Sequence, residues 1–272
     1  MTDRWSTHDI ELLADLVIKR FRSRERGEPE AEWRALTLLA EYAPGLAAHP
    51  VHAGLPAEPV IAMSRLPGVP LRGQILDRRQ LTAVVEAITA LHTAVPARVL
   101  EGLALRHGHA AQVVDLVRGW CAEPSFHDLD PGVAEALAAG QEWLELTGDE
   151  IAGDPGTPVF GMGDGNLANY LWDGSRIRLV DFEESGRSDR AFELAEVTEH
   201  VSAWVDTGLD ASALLGHFAL TATEARRLRE CRRLLALTWL IMLMHDDPDH
   251  PRNPPGTVER QAVRLLTHLG RS

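Results

Sequence analysis

Asp164, Asn169 and Asp181 carry side-chain oxygen at spacings that suit a reaction on phosphate. Asp164 and Asn169 lie five residues apart in the glycine-rich stretch from Gly163 to Asn169, and Asp181 follows 17 residues after Asp164. Hard magnesium ions take carboxylate and amide oxygens as ligands, and a further carboxylate can orient and deprotonate an attacking hydroxyl. Phosphoryl transfer needs that set of groups. The plainer reading is that Asp, Asn and Gly only make turns. Against it, the chain has three asparagines, and two of them, Asn166 and Asn169, fall in these seven residues.

A second signal is Lys19. Of 27 basic residues it alone is lysine; the other 26 are arginine. An Arg- and Ala-rich chain replaces lysine wherever arginine serves, and the two differ where a compact, flexible point charge is required. Survival by accident is the competing account.

These groups need elements to hold them. Residues 9 to 19 read as two short strands around a turn at Ala14 and Asp15, the second delivering Lys19. Glu28 and Pro29 open a helix with Glu32 in its first turns, and Pro44 and Gly45 stop it. Residues 58 to 66 form another strand, and Pro67-Gly68-Val69-Pro70 a turn that could serve as a hinge. Beyond it, residues 81 to 95, 110 to 121, 131 to 147 and the pieces from 190 onward space apolar residues helically. The exception is a hairpin: Tyr170, Leu171 and Trp172, a turn at Asp173-Gly174, then Ile177, Leu179 and Val180.

Length and composition bound the rest. The 272 residues suit one large domain or two lobes sharing a cleft. A formal net charge of −13 disfavours nucleic acid and anionic membranes as partners and favours cationic ligands. No apolar run approaches the ~20 residues that span a bilayer, and the charged start MTDRWSTHDIE is unlike a secretory signal. A cytoplasmic enzyme is expected. Cys121 and Cys231 stand in no metal or redox spacing, and the twelve histidines form no zinc pattern. His92 is expected to be a packed, hydrogen-bonded core residue, and Trp204 and Trp239 core or pocket wall.

Six segments in order resemble the aminoglycoside phosphotransferase and choline kinase family. They are residues 16 to 19, 32 to 42, 60 to 71, 88 to 97, 163 to 186 and 188 to 197. The resemblance implies an α+β, protein-kinase-like fold of two lobes. Residues 1 to 66 would form a small antiparallel sheet plus helix, and residues 67 to 272 a larger, mainly helical lobe carrying the hairpin. It also implies ATP or GTP as co-substrate and Mg2+ as cofactor. Lys19 is similar to the strand lysine that contacts nucleotide phosphates, and Glu32 to its helix partner. Ala62, Met63, Ser64 and Arg65 correspond to the linker whose backbone meets adenine. Asp164 resembles the carboxylate that orients the acceptor hydroxyl, and Asn169 and Asp181 the metal ligands.

Two departures stand out. The family has His-Gly-Asp where this chain has Met162-Gly163-Asp164, so methionine can fill the histidine's volume but not make its polar bond. Only 18 residues precede Lys19, with no glycine before Gly27, so a phosphate-covering loop would be built from Trp5, Ser6, Thr7 and His8. Asp189 is expected to cap the helix that follows it. Glu193, Glu196 and Glu199 recur every three residues, as a solvated stripe would. In the family this region and the C-terminal helices line the acceptor pocket. Glu196, Glu199, Asp246, Asp247 and Asp249 are therefore candidates for binding the amines of a cationic substrate. The expectation is a small-molecule kinase acting on an aminoglycoside or other basic antibiotic. A choline, amino-alcohol or sugar kinase, or a nucleotide-binding pseudokinase, are the alternatives.

Overall fold

A computed structural model describes residues 8–122, 129–247 and 250–271. The chain begins with two antiparallel strands, β1 (Asp9–Leu12) and β2 (Leu16–Arg20), turned by the Leu13 N–H bonding to Leu16 C=O. Helix α1 (Glu28–Tyr42) starts after Gly27, whose φ of 73° suits glycine, and carries Pro29 in its first turn. Strands β3 (Pro50–Ala53) and β4 (Val60–Ser64) complete an antiparallel sheet of order β1-β2-β4-β3. Lys19 pairs with Ile10 on one side and Ile61 on the other.

Strand β5 (Val69–Pro70) already belongs to the second body, where it pairs with the first strand of a hairpin made by β7 (Tyr170–Trp172) and β8 (Ile177–Leu179). The expected hinge at 67 to 70 is therefore shortened: its second half is fixed to the hairpin. Gly68 permits this with a φ of 128°, at a spot where a Cβ would lie 3.0 Å from Trp172 O. Strands β6 (Pro158–Gly161) and β9 (Gly186–Asp189) form a separate antiparallel pair. The sequence pointed to none of β3, β6 or β9. Pro50, and the polar run Gly-Arg-Ser-Asp, show no apolar alternation, and long-range pairing supplies what local propensity lacks.

The larger body is helical. It contains α2 (Arg78–Ala94), α3 (Ala97–Leu100), α4 (Ala110–Ala122), α5 (Pro131–Gly153), α6 (Arg190–Glu199), α7 (Val201–Trp204), α8 (Ala211–Leu215), α9 (Ala222–Met244) and α10 (Thr257–Leu269). Capping boxes start α2, through Asp77 and Gln80, and α9, through Thr221 and Glu224. Asp189 caps α6 by accepting the Phe192 N–H, and its carboxylate also receives the buried Arg227 at 2.8 Å. Helices α5, α6, α9 and α10 pack together, and the core continues without a break from Leu36, Leu39 and Ile61 to Leu167, Leu179 and Phe182. One continuous core thus joins the sheet lobe to the helical lobe. Among the described residues no helix is long and apolar enough to cross a membrane.

Candidate active site

The loop after β6 is held from behind by three groups that touch its backbone. Met162 donates its N–H to Glu193 Oε2 at 3.0 Å, Gly163 C=O accepts from Arg106 at 3.2 Å, and Leu167 donates its N–H to Ser202 Oγ at 2.9 Å. Glycine is required where the loop meets its neighbours. A Cβ on Gly165 would lie 2.2 Å from Glu196 O, a backbone atom of α6 that cannot swing away. Gly163 combines a φ of 91° with Glu184 O at 2.5 Å from the Cβ position.

Arg106 is the hub of this support. It is 2% exposed, lies 2.7 Å from both Glu193 and Glu196, and stacks over Phe192 at 4.9 Å. Burial opposes its charge, but the two carboxylates outweigh that and raise its pKa. In a chain with 26 arginines nothing in the sequence singles it out.

Asp164 emerges from this loop with its carboxylate fixed twice. Oδ1 accepts the Asn166 N–H and Oδ2 accepts the Asn169 side-chain amide, both at 2.9 Å. Burial, and then the nearby Asp181 carboxylate, push its pKa up to about 7; a cation at Asp181 would remove the second cause. Asn169, 7% exposed, spends its Nδ2 on Asp164 and so has its amide oxygen as the ligand atom. Its C=O accepts the Val180 N–H at 3.1 Å, which fixes it beside the chain entering Asp181. Asp181 has a φ of 68°, uncommon for a residue other than glycine, and this turn re-aims the carboxylate at the end of the hairpin.

Lys19 meets the same loop from the sheet. Its ammonium is bonded by Glu32 at 2.8 Å, by Glu183 at 2.7 Å, and by Asp181. Burial works against the charge, but the three carboxylates together raise the lysine's pKa and keep it protonated. Glu32 also accepts the Phe182 N–H at 3.1 Å, so helix α1, strand β2 and the loop after β8 share one carboxylate. Glu183 was not expected at the site. Burial disfavours its charge, yet the bond from His8 and the Lys19 charge pull its pKa down to about 2. Of the proposed phosphate-covering segment only His8 lies within the described residues. It sits 2.7 Å from Glu183 and against Phe21 at 4.7 Å.

A metal has two kinds of acidic or amide surroundings to choose from here. Glu32, Asp181 and Glu183 bring oxygens within 4.8 Å of one another, but the Lys19 ammonium already sits among them, so they cage a lysine. Asn169 and Asp181 fit a hard divalent cation better, since one brings a neutral amide oxygen and the other a carboxylate, as magnesium sites with phosphate do.

The profile of the phosphotransferase enzyme family matches residues 3–235. The chain belongs to that family. No curated sequence matches it. In fold this phosphotransferase is similar to a choline/ethanolamine kinase family protein from Mesorhizobium loti, with 16% identity and a TM-score of 0.64 over 97% of this chain and 89% of that one. A spectinomycin phosphotransferase in complex with ADP and spectinomycin gives 14% identity and a TM-score of 0.62, covering 98% and 87%. The GDP complex of an aminoglycoside 2'-phosphotransferase gives 15% and 0.62, covering 99% and 91%. The expected protein-kinase-like architecture, a small sheet lobe beside a helical one, is therefore the observed one.

The segment Ala62, Met63, Ser64 and Arg65, expected as the adenine linker, spans the end of β4 in this phosphotransferase. Ala62, Met63 and Ser64 are inside β4, all three paired with β2 and the first two also with β3. The N–H groups of Ser64 and Arg65 are taken by His49 C=O and Asp15 C=O, each at 2.9 Å. The chain then runs without a strand or helix from Arg65 to Gly68 before β5 starts.

The acidic candidates for amine recognition are largely used up inside the phosphotransferase. Glu199 has no exposed side-chain surface and is bonded by Arg232 at 2.6 Å, Arg264 at 2.7 Å and His268 at 3.0 Å. Burial opposes its charge, but the His268 bond and the two arginines bring its pKa down to about 2. Glu196 is held by Arg106 beneath the loop, where burial pushes its pKa up to about 7. The triplet Glu193, Glu196 and Glu199 is thus no solvated stripe: Arg106 binds the first two and Arg232 and Arg264 the third. Asp246 is bonded twice by Arg252, at 2.7 and 2.9 Å. Exposed Asp247 stands 3.2 Å from His250, and Asp249 lies outside the described residues.

Two histidines complete the surroundings. His92 packs as expected, but its buried Nδ1 has no hydrogen-bond partner among the described residues, and burial lowers its pKa to about 4. It lines a small cavity behind the loop with Met162, Asp164, Tyr170 and Glu196. His200, unremarked in the sequence, brings Nε2 to 3.5 Å from Asp164 Oδ1 and stacks edge-on against Trp239 at 4.6 Å. Its only sequence signal is a histidine at the end of an acidic helix, which is weak.

Proposed function

We propose that this phosphotransferase moves the terminal phosphate of magnesium-bound ATP or GTP to a hydroxyl of a small molecule. The observation that carries the reading is the 2.9 Å bond from Asn169 to Asp164, which couples a metal-ligand candidate to the carboxylate that would receive the hydroxyl. Lys19 joins Glu32 to Asp181, the other metal-ligand candidate.

In this reading the acceptor O–H donates to Asp164. The hydroxyl oxygen forms a bond to the terminal phosphorus as the bond from that phosphorus to its bridging oxygen breaks, and the proton ends on Asp164. Bound magnesium supplies charge neutralisation on the phosphate oxygens. Asn169 and Asp181 would hold it. Lys19, which clasps Asp181 here, would exchange that carboxylate for phosphate oxygens while Glu32 keeps it aimed. Phosphoryl transfer has a loose transition state, so positioning and charge are most of what the protein supplies. The lobe boundary falls at residues 66 and 67, and the cytoplasm supplies the nucleotide.

For the acceptor we put first an aminoglycoside or other basic antibiotic, a cationic small molecule. The net charge of −13 and the fold shared with phosphotransferases of spectinomycin and aminoglycosides support it. A metabolic kinase of choline, an amino alcohol or a sugar is the second reading, favoured by the similarity to a choline/ethanolamine kinase family protein. The deciding experiment is a magnesium-dependent phosphoryl-transfer assay over basic antibiotics, amino alcohols and sugars, with Asp164→Asn as control. Tight nucleotide binding with no turnover on any acceptor would instead make the chain a pseudokinase.

A further inference from the structure

We propose that His200 is a positioning residue for Asp164, fixing the orientation of its carboxylate through the imidazole Nε2–H. The inference rests on the phosphotransfer reading for its consequence in turnover, but the contact itself can be tested without it.

The hydrogen bonds assign the tautomer. Ser202 donates its backbone N–H to His200 Nδ1 at 3.0 Å, and Ser202 Oγ lies 2.8 Å from the same nitrogen. A ring nitrogen that accepts a backbone N–H carries no proton, so in the neutral ring the proton is on Nε2. That nitrogen is the one facing Asp164 Oδ1. Burial, with the Arg72 charge second, lowers the His200 pKa to about 3, in keeping with a ring that stays neutral.

The anchor comes from outside the loop it serves. Both other bonds to the Asp164 carboxylate come from the loop itself, from Asn166 and Asn169, and move with it. His200 is 7% exposed, starts α7 and packs on Trp239 of α9, so it refers the carboxylate to the helical body. Ser202 closes the circuit, since its Oγ accepts the Leu167 N–H from the same loop. Met162, two residues before Asp164, has no hydrogen-bonding side chain to offer in place of this. At 3.5 Å the His200 contact is long for a hydrogen bond. Catalytic hydrogen bonds are often long in the absence of substrate and tighten when the reacting complex forms.

Nitrogen-15 NMR of the labelled full chain tests the contact directly, with His200→Gln assigning the signal. We expect the Nε2–H tautomer, with an Nε2 signal that shifts in Asp164→Asn. The Nδ1–H tautomer, or an Nε2 signal indifferent to Asp164→Asn, overturns the proposal. Turnover tests the consequence, using magnesium, ATP and the acceptor found in the panel, or water as acceptor. His200→Asn keeps an amide near Ser202 but cannot reach Asp164, whereas His200→Gln can. The Asn variant should lower kcat on the order of tenfold to a hundredfold, as misplacement of a reacting group does. Its nucleotide KM should be unchanged and the Gln variant should keep most of the rate. Equal rates in folded Asn and Gln variants reduce His200 to packing and overturn the positioning role. Wild type without turnover on any acceptor would overturn the phosphotransfer reading, and the NMR result then decides the contact alone.

Discussion

Glu32 Oε2 accepts both the Lys19 ammonium, at 2.8 Å, and the Phe182 N–H, at 3.1 Å, so one carboxylate oxygen joins the sheet lysine to the residue after Asp181. Removing one partner of such a buried pair leaves the other charge uncompensated. Lys19→Met should therefore destabilise the fold by roughly 3–5 kcal/mol and abolish turnover. Lys19→Arg should fold but turn over far more slowly, because a planar guanidinium cannot replace a compact ammonium among three carboxylates. Urea unfolding and initial rates check both, and full activity in the arginine variant would remove the special role of the single lysine.

Arg106 should behave as a structural keystone. Arg106→Met strands Glu193 and Glu196 and frees the Gly163 carbonyl, so a loss of roughly 3–5 kcal/mol is expected. Arg118→Ala, which breaks an exposed pair with Asp149, should stay within about 0.5 kcal/mol of wild type. A comparable loss in the two variants, measured by chemical denaturation, would contradict the hub.

Two glycine substitutions should have opposite signs. Gly165→Ala drives a methyl into the Glu196 carbonyl and should end activity while lowering stability. Gly119→Ala sits at an exposed position in α4 with nothing within 4 Å of the new Cβ, and should gain roughly 0.5–1 kcal/mol. Thermal unfolding of both variants separates the cases.

Acid should weaken the fold through Glu199 and His200. The folded pKa of Glu199 is depressed to about 2 from an ordinary 4.5. Its contribution is thus complete above pH 4.5 and is lost as pH falls toward 2. His200 is held neutral with a pKa of about 3 against an ordinary 6.5, so protons favour the unfolded chain increasingly as pH falls from 6.5 to 3. Asp164 and Glu196, whose pKa values are pushed up, gain stability over the same fall in pH, so the test is a difference: the His200→Gln variant should lose less of its denaturation midpoint between pH 6.5 and pH 3 than wild type does.

Chelation should separate chemistry from folding. EDTA is expected to stop turnover without moving the thermal midpoint, and added magnesium to restore it. Asn169→Ala should raise the magnesium concentration needed for half-maximal rate and lower kcat as well, since the same amide steadies Asp164. Activity indifferent to chelation would remove Asn169 and Asp181 as metal ligands.

The candidate site was legible because its parts are local. Asp164, Asn169 and Asp181 share a loop and a hairpin, and a lone lysine stands out against 26 arginines whatever the fold. The helices that carry clear apolar periodicity were readable for the same reason, as were the strands flanking the turn at Ala14 and Asp15. Strand β9 was not, because Gly-Arg-Ser-Asp is a strand only by virtue of its partner β6.

Charge compensation lay beyond the sequence. Glu196 and Glu199 look like free carboxylates until Arg106, Arg232 and Arg264, distant in sequence, are brought against them. The same holds for Glu183, which meets Lys19 and His8, and for His200, which meets Asp164. The sequence by itself determined which groups can take part in phosphoryl transfer, because residue type sets chemistry and short spacing sets shared position. Only the tertiary structure decided which charges remain available, because Coulomb pairing and burial depend on distances that the chain closes across many residues.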